Sequence, residues 1–169
     1  MLLSHISDIL CPKEKFILQS VQKDSFMAKK RNGRHEAIRQ IVRGRVIRTQ
    51  RDLVYELREM GFTCTQATVS RDIADMGLEK LAEGRYALSE DLHLQRMVSD
   101  FVVGVESVEN QVVINTDAST APGIGSAIDA AGLDDVIGTI AGYNTVLVIC
   151  RNARAADEVA AYINGICEE

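Results

Sequence analysis

"TQRDLVYELREMGFTCTQATVSRDIADMG", residues 49–77, holds two amphipathic periods separated only by Gly61–Cys64. Thr49 is a side-chain N-cap, and Asp52 three residues later completes a capping-box variant. Leu53, Leu57 and Met60 fall on one face of a helix running from about Gln50 to Met60. Gly61 can adopt the left-handed backbone that stops a helix, and Phe62 then packs back on the last turn. Thr65 caps a further helix that ends at Gly77. A short glycine-containing link between two such helices is the helix-turn-helix layout.

The second of these helices has an unusual outward face. On a wheel of about 100° per residue, Val69, Ile73 and Met76 turn inward while Ala67, Ser70, Arg71 and Ala74 turn outward. Small residues let a helix sit deep in a groove. Arg71 can take guanine O6 and N7 with both arms of its fork or clamp a phosphate. Gln66, Thr68 and Ser70 offer hydrogen bonds to bases or phosphates from the first turns, where backbone N–H groups also attract anions. The competing reading is an ordinary surface helix with Arg71 paired to Asp75 at i, i+4.

Working outward, Ile38, Ile41 and Val42 give an earlier helix from about His35 to Arg43, stopped by Gly44. A short basic arm with Lys29, Lys30, Arg31 and Arg34 precedes it. After Gly77, Leu78–Ala82 and Arg85–Leu88 are β-prone pieces around Glu83-Gly84, a hairpin signal. Three helices and a hairpin make a winged helix-turn-helix over residues 27–88. Arg85 on the wing and Lys29, Lys30 and Arg34 on the arm join Gln66, Thr68, Ser70 and Arg71 as expected DNA contacts. Residues 1–26 carry no clear period and read as an N-terminal extension, or as an upstream choice of start. Residues 89–98 are polar and mixed in charge, and read as a linker.

From residue 99 to 169 the pattern changes. "FVVGVES", "QVVINT", "VIGTIAG" and "TVLVICR" are β-branched apolar runs, joined pairwise by hairpin signals at "VEN" and Gly142-Tyr143-Asn144. Ala121–Ala131 and Ala153–Ile166 are helical, so the order is ββαββα. The fold class is therefore α+β in two domains, the second an antiparallel four-stranded sheet with two helices on one face. The small residues of Ala121–Ala131 suit close packing at a subunit contact. The other sheet face still carries apolar residues, for which a second copy of the chain is the simplest cover.

Charge follows the same division. The net charge is −5, yet residues 27–88 hold 13 Lys+Arg against 8 Asp+Glu, and residues 89–169 hold 3 against 13. A basic half and an acidic half suit two domains with different tasks. No apolar run reaches the roughly 18–20 residues of a membrane span, and no signal peptide is evident, so the expected compartment is the cytoplasm. The four cysteines form no CxxC pair, and His5, His35 and His93 have no metal-ligand spacing. Gly123-Ile124-Gly125 opens a helix, but Ile128 stands where a dinucleotide fingerprint needs its third glycine. Ser119 and Thr120 have no nearby base. These points argue against a nucleotide cofactor, a metal and an enzymatic role. The remaining alternative from another class is a ligand-responsive protein-interaction module in which the basic half is a docking surface.

"RHEAIRQIV", "TQRDLVYELREMGFTCTQATVSRDI" and "GTIAGYNTVLVICR" resemble the bacterial arginine repressor family over nearly everything from Lys29 onward. The resemblance implies a regulator of arginine biosynthesis or catabolism genes that represses by binding palindromic operators in double-stranded DNA. It implies trimers that pair into a hexamer, with L-arginine bound between trimers as co-repressor, and it places the DNA-contacting pair at Ser70-Arg71. Asp129 matches a ligand-contacting acid of the family. Two aspartates follow GTIAG in that family, whereas Tyr143 and Asn144 stand here. Each lost carboxylate removes charge-assisted hydrogen bonds of roughly 1.5–3 kcal/mol. The family's Thr-x-Pro-Gly also reads differently here, as Thr116-Asp117-Ala118-Ser119, with a Pro-Gly occurring later at Pro122-Gly123. Three effector states follow: weak arginine binding through Asp129 and backbone groups, a different ligand met by the Tyr143 ring and hydroxyl, or an effector-independent partner of a second family member.

Overall fold

The computed structural model describes residues 31–167, which divide into two units between Tyr86 and Ala87. The expected extension over residues 1–26, like Lys29 and Lys30, lies outside the described residues.

The first unit opens with helix α1 (residues 31–44), followed by α2 (Gln50–Glu59) and α3 (Gln66–Asp75). Ile38 of α1, Leu53 and Leu57 of α2 and Val69 of α3 are fully buried. Burying side chains of this size contributes roughly 1.5–3 kcal/mol each. The local stops and starts form as the residues dictate. Thr49 and Asp52 make a reciprocal capping box at the head of α2. At its tail Gly61 takes φ +85°, its N–H donating to the Arg58 carbonyl while the Phe62 N–H donates to that of Leu57. That crossed pair is a Schellman stop. Thr65 caps α3 by accepting from the Thr68 N–H.

Strands β1 (Leu78–Lys80) and β2 (Tyr86–Leu88) form the wing. Its turn closes through Leu81 N–H to the Arg85 carbonyl and through Gly84 at φ +82°. The Tyr86 N–H donates to the Ile47 carbonyl at 2.7 Å, tying the wing to the segment between α1 and α2. One expectation fails in this unit. Arg31 and Arg34 belong to α1 rather than to an arm ahead of it, and Arg34 is held there by a residue of α3.

In the second unit, residues 89–98 are not a linker. They are the first turns of helix α4 (Ser89–Phe101), and Leu94 and Val98 are fully buried in the core of this unit with Met97 and Phe101 packed against it. The stripe is narrow and set among Glu, Asp, His and Arg, so the average composition hides it. Phe101, expected to open a strand, closes this helix instead.

Strands β3 (Val102–Val108), β4 (Gln111–Thr116), β5 (Val136–Ala141) and β6 (Thr145–Cys150) form one antiparallel sheet in the order β3-β4-β6-β5. Helix α5 (Ala121–Ala131) lies between the hairpins in sequence, and α6 (Ala153–Cys167) follows them. Val112 pairs with Val148 and Ile114 with Val146, so these four share a face, and all are fully buried with Ile124, Ile128 and Ile163 of the helices. The opposite face carries Val113, Leu147 and Ile149, half-buried, and Ile140, exposed.

One of the small residues of α5, Gly125, faces this chain's own sheet. A Cβ on Gly125 would stand 3.3 Å from Thr139 Oγ1 and 3.4 Å from Ala141 Cβ. At Gly125 the helix approaches β5 closely enough that an added Cβ would press on Thr139 and Ala141.

Candidate nucleic-acid interface and effector region

Helix α3 presents two faces of opposite character. Ala67, Ser70, Arg71 and Ala74 are exposed, and Arg71 forms no ion pair with Asp75 or any other described residue. A long forked cation therefore stands among small neighbours on the outer arc. Gln66 and Thr68 are more occupied. Gln66 Nε2 donates to Gln50 Oε1 at 3.4 Å, and the Thr68 hydroxyl lies 3.0 Å from that of Thr65. Both reinforce the start of α3, and the exposed Gln66 bond is weak enough to exchange for another acceptor. Arg85 is exposed on the wing, 3.7 Å from Glu83, a contact worth little in solvent.

The inner face of α3 holds a charge that periodicity does not announce. Asp72 is 2% exposed. Arg34 Nε donates to its Oδ2 at 2.5 Å and Arg34 Nη2 to its Oδ1 at 2.7 Å. His35 Nε2 lies 3.0 Å from the same Oδ1, so the proton that makes this bond sits on Nε2. Burial pushes the Asp72 carboxyl upward, but the hydrogen bonds from Arg34 and His35 and the nearby guanidinium charge outweigh it and hold the group below the ordinary carboxylate range. Arg34, hydrogen-bonded to the carboxylate, is raised in turn. Arg34 thus departs from its expected place in the arm: its fork is engaged within the protein. His35, expected at the helix surface or on a DNA backbone, is half-buried against Asp72.

Reading the sequence missed Asp72, because an aspartate beside an arginine on a helix looks like a solvated residue. It also passed over Arg48 and Arg51, both exposed on either side of the Thr49 cap, where the α2 amide dipoles point outward. The signal available was their place beside an N-cap, since helix starts favour anions such as phosphate.

Comparison with known proteins fits this arrangement. The family model "Arginine repressor, DNA binding domain" matches residues 29–94, and "Arginine repressor, C-terminal domain" matches residues 98–165. The chain belongs to the arginine repressor family. Arginine repressors similar to it include that of Pelotomaculum thermopropionicum, 41% identical over 75% of this chain and 91% of the relative. That of Thermus thermophilus is also 41% identical, over 80% of this chain and 90% of the relative. That of Clostridium botulinum strain Kyoto is 37% identical over 79% and 95%. The helix-turn-helix and wing therefore lie in the arginine repressor DNA-binding domain, and the sheet with α5 and α6 in the C-terminal domain.

The candidate effector residues of this arginine repressor domain fall in two places. Asp129, exposed near the end of α5, accepts from Thr139 Oγ1 at 3.0 Å. It borders a hollow of about 120 Å³ with Ile128, Gly132, Leu133, Val136 and Gly138. Tyr143 and Asn144 occupy the β5–β6 turn, and their carbonyls accept from the Ser119 N–H at 2.8 Å and the Thr116 N–H at 2.9 Å. That stitches the turn to the loop before α5. Tyr143 and Asn144 are not among the residues that line the hollow beside Asp129.

Helix α5 begins after a strained residue. Ser119 has φ +70°.

No helix among the described residues is long and apolar enough to cross a membrane.

Proposed function

We propose that the protein is a cytoplasmic transcriptional repressor of arginine-metabolism genes that reads palindromic operators through α3 and assembles through its C-terminal domain. The observation that carries this reading is the outer face of α3. Ser70 and Arg71 are exposed between Ala67 and Ala74, with the Arg71 guanidinium unpaired among the described residues. In this reading Ser70 and Arg71 meet base edges, and Gln66 and Thr68 meet bases or phosphates beside them. Lys29, Lys30, Arg48, Arg51 and Arg85 meet phosphates. Arg34 drops out of that set because Asp72 engages it.

Phosphate contacts make the affinity salt-dependent, with a log–log slope of about −0.9 per contact. Fluorescence anisotropy of the full chain on a promoter fragment of the host's arginine genes tests the assignment. Arg71→Ala lowers operator affinity by about 1–3 kcal/mol, and wild-type binding weakens steeply as salt rises. Undiminished affinity in Arg71→Ala overturns the assignment of α3.

The oligomer in this reading is a trimer that pairs into a hexamer, the apolar outer face of the sheet (Val113, Ile140, Leu147, Ile149) supplying cover between copies. Each C-terminal half is acidic, so the assembled core repels DNA and leaves the duplex to the basic domains. L-arginine is the effector the family suggests. A hollow of about 120 Å³ beside Asp129 is below the roughly 300 Å³ at which ligand pockets begin, so a complete site needs a second copy.

Tyr143 and Asn144 favour a second reading of the effector alone. A ligand with two cationic groups finds no carboxylate at that turn, whereas a neutral or aromatic-seeking ligand finds a phenol and a carboxamide. A paralogue carrying the aspartates could complete a mixed assembly. Calorimetry with millimolar L-arginine decides: heat, or a shift in the hexamer population, supports the co-repressor reading, and the absence of both removes it.

A further inference from the structure

We infer that Asp72 is a positioning residue for DNA reading, clamped by Arg34 and His35 of α1 so that Ser70 and Arg71 are held at one rotation of α3. This rests on the reading of α3 as the recognition helix. Apolar packing gives α3 little rotational definition. Val69 is the one fully buried apolar side chain on α3, and Ile73 and Met76 are half-buried. Contacts of that kind are non-directional, so a helix held by them alone can roll or slide over its neighbours at little cost. Arg71 has a long lever arm, and a small roll at the axis becomes a displacement of ångströms at the guanidinium.

A bidentate guanidinium–carboxylate pair is directional in a way that apolar packing is not. Both nitrogens of Arg34 meet both oxygens of Asp72, at 2.5 and 2.7 Å, and the third bond from His35 fixes the carboxylate plane from a neighbouring position on α1. The side chain of Asp72 is 3% exposed and that of Arg34 is 12% exposed, so water offers few alternative partners. Asp72 directly follows Arg71. Fixing it inward sets Arg71 about 100° around the helix, on the outward arc. A buried ion pair need not be more stable than an apolar replacement, and its best-attested use is to fix register.

The clamp has a second consequence. It neutralises a cation on α1 that would otherwise attract any phosphate. Asp72 therefore acts on both sides of discrimination, holding the reading residues in place and withholding Arg34 from sequence-independent binding.

The test compares the full chain with Asp72→Asn, Arg34→Lys and Arg71→Ala on two duplexes: a genomic fragment that the wild-type chain retains, and a shuffled duplex of the same length and composition. Circular dichroism establishes the folded fraction at the assay temperature. Asp72→Asn is expected to reduce the ratio of specific to shuffled affinity by roughly 10-fold to 100-fold, the range set by losing charge-assisted bonds. Its affinity for the shuffled duplex is held or raised, with a steeper salt dependence from the released Arg34. Arg34→Lys keeps the charge but lacks the fork, and is expected to lose several-fold in the same ratio. If Asp72→Asn does not fold, Arg34→Lys alone decides.

Arg71→Ala separates this idea from the reading beneath it. If Arg71→Ala leaves discrimination intact, α3 does not read DNA and the clamp falls with it. If Arg71→Ala abolishes discrimination while folded Asp72→Asn and Arg34→Lys keep the wild-type ratio, only the clamp is overturned. A loss that affects both duplexes equally, in proportion to the unfolded fraction, also overturns it, because the pair then serves stability alone.

Discussion

Ser119→Gly offers a clean test of the backbone geometry around the candidate effector turn. Ser119 has φ +70°, where a side chain with a Cβ costs roughly 1–2 kcal/mol. Its N–H donates to the Tyr143 carbonyl at 2.8 Å, a bond that glycine keeps. Its side chain is exposed and makes no hydrogen bond among the described residues, so the substitution removes no native contact. Against the relief of strain stands the greater freedom of glycine in the unfolded chain, about 0.4–1 kcal/mol. The balance is a stabilisation of about 0.5–1 kcal/mol. With a urea slope of about 1–3 kcal/mol/M, the midpoint of the C-terminal unit should rise by roughly 0.2–1 M. The assay is equilibrium urea unfolding at fixed protein concentration, followed by far-ultraviolet circular dichroism, with Ser119→Ala as control. Alanine keeps the strained backbone and should stay within about 0.5 kcal/mol of wild type. A midpoint for Ser119→Gly at or below that of Ser119→Ala refutes the reasoning.

The remaining predictions concern the three other packed or charged sites. Because the folded Asp72 carboxyl lies below its unfolded value of about 3.9, its contribution is full above that pH and is lost as pH falls through the lower folded value. Acid titration of stability should therefore show a decline below about pH 4 that Asp72→Asn flattens. At Gly125, a leucine would drive into Thr139 and Ala141, and overpacking should cost about 1–3 kcal/mol by chemical denaturation. Alanine at the same position should stay near zero, since its helix propensity gain of about 0.5–1 kcal/mol offsets the 3.3 Å contact. Tyr143→Asp with Asn144→Asp restores two carboxylates beside the α5 loop. If the turn contributes to an arginine site between copies, calorimetry should show the double variant binding L-arginine at least 100-fold more tightly than wild type, the effect of roughly 1.5–3 kcal/mol per charge-assisted bond. Equal affinities would detach that turn from arginine binding.

The helix-turn-helix was legible because its boundaries are local. Thr49, Asp52, Gly61 and Thr65 act on backbone groups within four residues of themselves, and the structure carries each of them out as written. The four strands were legible because β-branched runs and turn signals recur along the chain, and the apolar alternation of β4 and β6 can be read without knowing their partners. The helix over 89–101 was less visible, since Leu94, Met97, Val98 and Phe101 have helical spacing but sit among charged neighbours. Its identity depends on the α5 side of the core that it covers.

What sequence by itself determined, then, was the order of elements, their caps, the separation of charge and the outward face of α3, all fixed by short-range periodicity and backbone chemistry. Only tertiary structure decided that Arg34 and His35 engage Asp72, pairings across 38 and 37 residues in turn. It also decided that Gly125 packs on β5 of its own chain. These outcomes depend on which distant groups reach one another once the core has closed. A side chain's own identity specifies what it can bind, but only the packed chain specifies which partner is within reach.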